Sequence, residues 1–432
     1  MLKIFYPAIL ALGLATILFS CKDDDDKGPT EGVVTGTVLA LDDARSVQGV
    51  SVSAFFADNN EPTGVSTTTN ADGVYSINLM PGTYYLRLAK LGFQEVPPVG
   101  VTAIPFTIVE GETVTLDYDL VASAVIDGGA ISGTVSSDSE MISGALIIAT
   151  DATGSSYSAV SDAEGNYTIL NVPAGTYTVQ AWLSGYNGQS ADGTVEANSI
   201  TGDIDILMTA GVSATLDGSV KFLATGNKAV DVSLIHPSTQ QVIPGLSVST
   251  EGTFTMTDIP DGEYLARASY NNDTLVVDPD FIVKFGDPVV TVSGGAVTVT
   301  QGDATSGVLD FAVTNSVLLD NPSNTATEIV PVEVSAAGLT FTWKPYSSTS
   351  DYVVELLDIN GNTIWGGFDN SGDIPVKVIT TTSTSITYDG PALLNGRTYR
   401  WKVYASKDDK SNGGWSLISM SEDQMGLIKI IE

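Results

Sequence analysis

Asp72, Gly73, Val74, Tyr75, Ser76 and Ile77, followed by Pro81, Gly82, Thr83 and Tyr84, form the stretch that decides how this chain folds. An acid followed by glycine makes a tight turn, because glycine adopts the positive φ that other residues resist. Tyr75 and Ile77 then alternate with polar neighbours, so one face of a strand packs inward. Proline fixes φ, Gly82 opens a second turn, and Tyr84 begins the returning strand. The same order returns twice. Glu164, Gly165, Asn166, Tyr167, Thr168 and Ile169 precede Pro173, Ala174, Gly175, Thr176 and Tyr177. Glu251, Gly252, Thr253, Phe254, Thr255 and Met256 precede Pro260, Asp261, Gly262, Glu263 and Tyr264. Upstream of each copy a short strand carries one glycine: Gly36 in 35–38, Gly133 in 132–135 and Gly218 in 217–220. Self-similarity of this kind marks a repeated structural unit.

Around these copies the chain from Glu31 onward is rich in Thr, Val, Ser, Gly and Tyr and lacks helical periodicity, which favours strands. Together the motifs resemble the carboxypeptidase regulatory-like family, a transthyretin-like seven-stranded β-sandwich found in tandem on bacterial surface proteins. The resemblance implies an all-β chain of tandem β-sandwiches: the first at 31–124, the second at 125–211 and an extended third at 212–320. The long tail of the third is expected to hold a hairpin around Gly294 and Gly295. Modules of this family are usually non-catalytic, so the likeness speaks for architecture.

After Asn321 and Pro322 the composition changes, and four of the five tryptophans follow: Trp343, Trp365, Trp401 and Trp415. Leu339, Phe341 and Trp343 alternate on one strand, Tyr352, Val354 and Leu356 on the next. The series Leu394, Gly396, Thr398, Tyr399, Trp401, Val403 resembles the tyrosine corner of a fibronectin type III sandwich, in which a tyrosine hydroxyl bonds back to backbone. A fibronectin type III-like sandwich is therefore expected over 321–432, with Trp343, Tyr399 and Trp401 in its core and Trp415 on its closing strand.

The N-terminus reads as an address. Lys3 precedes an apolar run from Ile4 to Phe19, too short for an ordinary spanning helix, and 1–20 is expected to be a secretion signal. Leu18, Phe19, Ser20 and Cys21 resemble a bacterial lipobox, which makes Cys21 the lipid attachment site. Lys22, Asp23, Asp24, Asp25 and Asp26 then resemble the surface-export signal of Bacteroidetes-type lipoproteins, although the run also resembles an engineered protease-cleavage tag. Residues 21–30 thus form an acidic export signal and tether, and outer-membrane lipid held through acylated Cys21 is the first expected partner.

Chemistry is narrowly bounded. The 432 residues carry 51 Asp and Glu against 18 Lys and Arg, for a net charge of −33, which repels phosphate backbones and argues against nucleic acid. One histidine, His236, and one cysteine remove His-rich metal sites, Cys/His nucleophile pairs and intrachain disulfides. His236 precedes Pro237 and reads as a solvated loop residue. Asp72 with Asn70, and Asp162 with Glu164, offer too few carboxylates for a calcium loop and read as turn residues. No metal, cofactor or catalytic residue is expected, and the chain reads as a non-enzyme whose sandwiches are strung end to end. Asp273, Thr274 and Leu275 resemble the O-glycosylation pattern of Bacteroidetes secreted proteins, with Thr274 as acceptor.

Two aromatic groups are the candidate ligand or partner contacts. Trp365 and Phe368 lie in a glycine-flanked segment expected on an exposed hairpin, and Trp182 with Tyr186 lies in the second module. The preferred expectation is a surface-exposed scaffold or accessory subunit docked on an outer-membrane β-barrel complex, either a nutrient importer or a barrel-assembly machine. The alternatives are a glycan-binding lipoprotein capturing polysaccharide with Trp365 and Trp182, and an adhesin.

Overall fold

A computed structural model describes residues 30–432 apart from 58–61, 99–100, 126, 139, 223–228, 271–287, 303, 325–330, 369–377, 381–382 and 408–415. The protein is all-β, and among the described residues the sole helical element is a 3-10 turn at Asp423–Gly426. Four pairs of facing sheets follow one another along the chain.

In the first pair, Gly32–Ala40 runs antiparallel to Val74–Leu79 and parallel to Thr113–Thr115 and Tyr118–Leu120. Its residues alternate between buried and half-buried, as a strand with one face on a core must. The facing sheet is ordered Pro62–Thr68, Ser51–Phe56, Gly82–Ala89, Phe106–Ile108. The second pair repeats the plan. Gly129–Ser137 is antiparallel to Asn166–Val172 and parallel to Ile200–Thr201 and Ile206–Ala210, opposite a sheet centred on Leu146–Asp151 and Gly175–Trp182. In the third, Ala214–Phe222 lies between Thr253–Ile259 and Val308–Val313, again antiparallel and parallel. Its facing sheet grows to six strands because Val289–Ser293 turns back into Ala296–Gln301. That turn is the expected hairpin, with φ of 56° at Gly294 and 83° at Gly295, the pair of positive values a two-residue primed turn requires.

The repeated motif has a physical basis that differs in part from the sequence expectation. Gly73 and Gly165 do carry positive φ, at 74° and 78°. Gly252 does not; there the Thr250 hydroxyl accepts from the Gly252 N–H at 3.0 Å and donates to the Thr253 carbonyl at 2.9 Å. The opening-strand glycines serve close approach. Gly36 faces Tyr75 across the sheet, Gly133 faces Tyr167, and Gly218 faces Phe254. A Cβ on Gly36 would lie 1.7 Å from the Leu116 carbonyl oxygen. The Tyr75 hydroxyl donates to that oxygen at 2.8 Å, and Tyr167 donates to the Ile204 carbonyl at 2.6 Å. In the second turn the tyrosine hydroxyl folds back four residues: Tyr84 to Met80, Tyr177 to Pro173 and Tyr264 to Pro260, at 3.0, 3.0 and 2.8 Å.

The fourth pair sets a small sheet of Leu319–Asn321, Thr340–Trp343 and Ser385–Thr387 against a larger one. The larger contains Val332–Ser335, Leu427–Ile431, Thr398–Lys407, Asp351–Leu357 and Thr363–Gly366. Trp401, Trp343 and Tyr399 are buried in its core, and the Tyr399 hydroxyl accepts from the Leu394 N–H at 3.0 Å.

The modules are not strung end to end. Asn171 of the second accepts from the Gly92 N–H at 2.7 Å and donates to the Phe93 carbonyl at 2.6 Å, both in the first. Trp182 of the second sits inside the core of the third. The first and fourth sandwiches, at opposite ends of the sequence, also close on one another.

Candidate functional site at the joint of the first and fourth sandwiches

The joint is built from a strand, a turn and a loop. Thr398–Lys407 puts Tyr399, Trp401 and Val403 toward its own core, which leaves Arg400 and Lys402 on the opposite face. Those cations are covered by the 3-10 turn that carries Asp423 and by 101–105 of the first sandwich. Arg400, only 5% exposed, donates to the Thr102 carbonyl at 3.0 Å, the Ala103 carbonyl at 3.3 Å and the Asp423 carbonyl at 3.0 Å. Lys402 pairs with the Asp423 carboxylate, and the Thr102 hydroxyl donates to the same carboxylate at 2.7 Å. Burial alone pushes the Asp423 carboxyl up, but Lys402, Arg400 and Thr102 together hold it below the ordinary aspartate value. A buried charge without such partners is costly, so each member requires the others.

Beside this network the hairpin tip at 358–362 presses onto the first sandwich. Ile359 packs against its core, and Gly361 meets Val101 so closely that a Cβ would approach its Cγ2 to 2.6 Å. Arg397 reaches across to Asp119 at 2.7 Å. Burial, with Asp117 nearby, pushes the Asp119 carboxyl up despite Arg397. Between the two sandwiches lies a cavity of about 450 Å³, walled by apolar groups including Leu41, Ile104, Leu116, Ile359 and Leu394. Asn360, 6% exposed, also lines it.

The aromatic candidates lie elsewhere and are not platforms. Trp365, expected on an exposed hairpin, is 9% exposed; its Nε1–H donates to Asp389 at 2.7 Å and its ring packs on Phe341 and Tyr388. Phe368 is half-buried, edge-on to Tyr404 at 5.0 Å. Trp182 is 8% exposed, edge-on to Tyr264 and His236. Tyr186 is half-buried on the short strand Tyr186–Gly188. Both indoles turned inward because the adjoining sheet or module offers more apolar surface than water allows them to forgo. His236 corrects its reading likewise: it is half-buried against Trp182, and desolvation drives its pKa down to about 4.

Asn70 accepts from the N–H groups of Asp72 and Val74, and Asp162 from those of Glu164 and Asn166, which is turn chemistry. Among the described residues no group of three or more His, Cys, Asp or Glu could hold a metal ion, and no helix is long and apolar enough to cross a membrane. Cys21, Lys22, Asp23, Asp24, Asp25, Asp26, Thr274 and Trp415 lie outside the described residues. Arg400, Lys402, Asp423 and Asn360 escaped sequence reasoning, since charged residues alternating with a core strand ordinarily face water. The available signal was Arg400 and Lys402 standing together in a chain so poor in cations.

The carboxypeptidase regulatory-like domain family matches residues 33–121 and 130–209, so the first two sandwiches are carboxypeptidase regulatory-like domains in tandem. Among solved structures, the chain is similar to the Bacillus anthracis TIE protein, with 15% identity and a TM-score of 0.18, over 66% of this chain and 51% of that one. It thus spans about half the length of that relative. It is also similar to the shaft pilin SpaA of Lactobacillus rhamnosus GG, with 14% identity and a TM-score of 0.18, over 43% of this chain and 98% of that one. A leucine-rich repeat protein of Bacteroides thetaiotaomicron gives 18% identity and a TM-score of 0.25, over 42% of this chain and 26% of that one. No curated protein matches the sequence.

Proposed function

We propose that this protein is a non-catalytic, surface-exposed lipoprotein that serves as a scaffold or accessory subunit of an outer-membrane β-barrel complex. In this reading Cys21 is acylated, Lys22 to Asp26 direct export, and the third and fourth sandwiches are a further carboxypeptidase regulatory-like copy and a fibronectin type III-like module. The third repeats the antiparallel and parallel pairing of the first two around its opening strand, and the Tyr399 hydroxyl bond suits a tyrosine corner.

The observation that carries the scaffold reading is the buried joint of Arg400, Lys402 and Asp423 with Thr102 and Ala103. A joint of this kind holds the first and fourth modules at a fixed separation, which a docking frame needs and a loose tether does not. A lipid anchor confines such a frame to the plane of its partner and raises its effective concentration. Polysaccharide capture by Trp365 and Trp182 required both rings to face solvent, and it is not carried forward.

Affinity purification from gently solubilised membranes, with crosslinking, tests the reading. A co-purifying β-barrel protein supports it, and recovery of the chain alone overturns it. For the address, Cys21→Ala is expected to abolish acyl labelling. Replacing Asp23, Asp24 and Asp25 is expected to leave the protein lipidated but protected from added protease.

A further inference from the structure

The cavity between the first and fourth sandwiches, about 450 Å³, falls within the range of roughly 300 to 1,000 Å³ in which small-molecule sites lie. Thr102 with Asp423 and Asp119 with Arg397 clamp its two walls together, so a guest meets a preformed space and orders little on entry. Leu41 of the first sandwich and Leu394 of the fourth both line it, yet they are 51% and 55% exposed. Large aliphatic side chains left in water on both walls of one cavity mark a surface that a ligand covers.

The polar groups of the lining argue against charge in the guest. Asp117 accepts from the Thr37 N–H at 2.8 Å, Asp119 pairs with Arg397 at 2.7 Å, and Asp358 accepts from the N–H groups of Asn360 and Asn362 at 2.8 and 2.9 Å. The Tyr399 hydroxyl accepts from the Leu394 N–H, and Asn360 Oδ1 is sealed inside the protein. An ammonium would have to share carboxylates that are already bonded. A carboxylate would face those same three acids, offset by Lys429, which makes no ion pair among the described residues. What the cavity offers freely is aliphatic wall, from Ile104, Leu116, Ile359 and Ile364 besides the two leucines. We propose that it binds a small neutral aliphatic molecule, held by burial of its hydrocarbon between the two sandwiches. The site depends on neither membrane anchoring nor a barrel partner.

Titration of the full chain with octanol, octanoate and octylamine, followed by ligand-observed NMR and calorimetry, tests the proposal, since the three share one chain and differ in head-group charge. Octanol is expected to bind saturably and about fivefold tighter than either ion, because a charged head stays in water and draws the nearest methylenes out of the cavity. Across hexanol, heptanol and octanol each added methylene is expected to tighten binding roughly fourfold, the yield of one buried methylene. Leu41→Asp and Leu394→Asp, at exposed positions, are each expected to weaken octanol about fivefold while the melting temperature stays near that of the parent. Val109→Asp, at an equally exposed position away from the cavity, is expected to leave the affinity unchanged. No saturable binding of octanol, an ion that binds as tightly, an affinity independent of chain length, or one unchanged by both leucine substitutions would overturn the assignment.

Discussion

Gly36 and Tyr75 show how much one pair of facing residues decides. The glycine lets the Leu116 carbonyl approach the strand, and the tyrosine both covers the bare backbone and donates to that oxygen. Burial pushes the Tyr75 hydroxyl far above its ordinary value, so it stays protonated and remains a donor. Gly36→Ala is expected to destabilise the first sandwich by about 3 kcal/mol, because backbone rather than a flexible side chain occupies the Cβ position. Tyr75→Phe is expected to cost about 1 kcal/mol, the net value of one hydrogen bond. Both are read from denaturant midpoints at unchanged slope. His236 is the sole histidine, which makes its titration easy to follow. With its pKa held near 4 by desolvation, its imidazole resonances are expected to stay fixed from pH 8 to about pH 5 and to move only below that. The unfolded chain binds the proton near the ordinary 6.5, so stability falls as pH drops from there toward 4.

At the scale of single elements, the returning strand Gly175–Trp182 belongs to the second sandwich yet ends inside the third, where Trp182 lies edge-on to Tyr264 at 5.7 Å. Trp182→Ala is expected to cost roughly 3–5 kcal/mol in the third sandwich. Calorimetry would show the two modules melting apart where the parent melts them together. The strands themselves were legible in the sequence, because period-two alternation and turn residues are local properties. The hairpin at Gly294 and Gly295 was legible for the same reason. The inward turn of Trp365 was not, since it depends on Phe341, Tyr388 and Asp389 arriving from other strands. The second-turn glycines were placed correctly but explained incompletely. Gly82 leaves room for the ring of Tyr84 two residues on, and Gly262 chiefly for the Trp182 ring arriving from the second sandwich, whereas a Cβ at Gly175 would meet Tyr177 only at ordinary contact distance.

The whole molecule depends on a contact that no local pattern announces. Arg400 and Thr102 lie 298 positions apart in the sequence, and the composition of neither neighbourhood points to the other. Arg400→Met is expected to strand Asp423 with fewer counter-charges and to loosen the joint by roughly 3–5 kcal/mol, the cost of breaking a buried pair from one side. Small-angle scattering is expected to register a larger radius of gyration. The joint is also acid-sensitive in a defined direction. Because the Asp423 carboxyl is held below its ordinary value, its stabilisation is complete above the ordinary aspartate pKa and is lost as pH falls through the lower folded value. Asp119, held above its ordinary value, works in the opposite sense over its own range. Asp423→Asn is therefore expected to remove most of the acid-induced expansion, while an unchanged pH profile would assign that expansion to other carboxylates.

The clasp between Arg400 and the first module also fixes an order of events. A chain synthesised from its N-terminus delivers the 101–105 segment long before Asp423 emerges. Until then that segment waits uncovered, and the first and fourth sandwiches can close on one another only once Asp423 has arrived. Removing the segment around Asp423 would therefore unmask a surface around Thr102 in the first sandwich, 321 positions away.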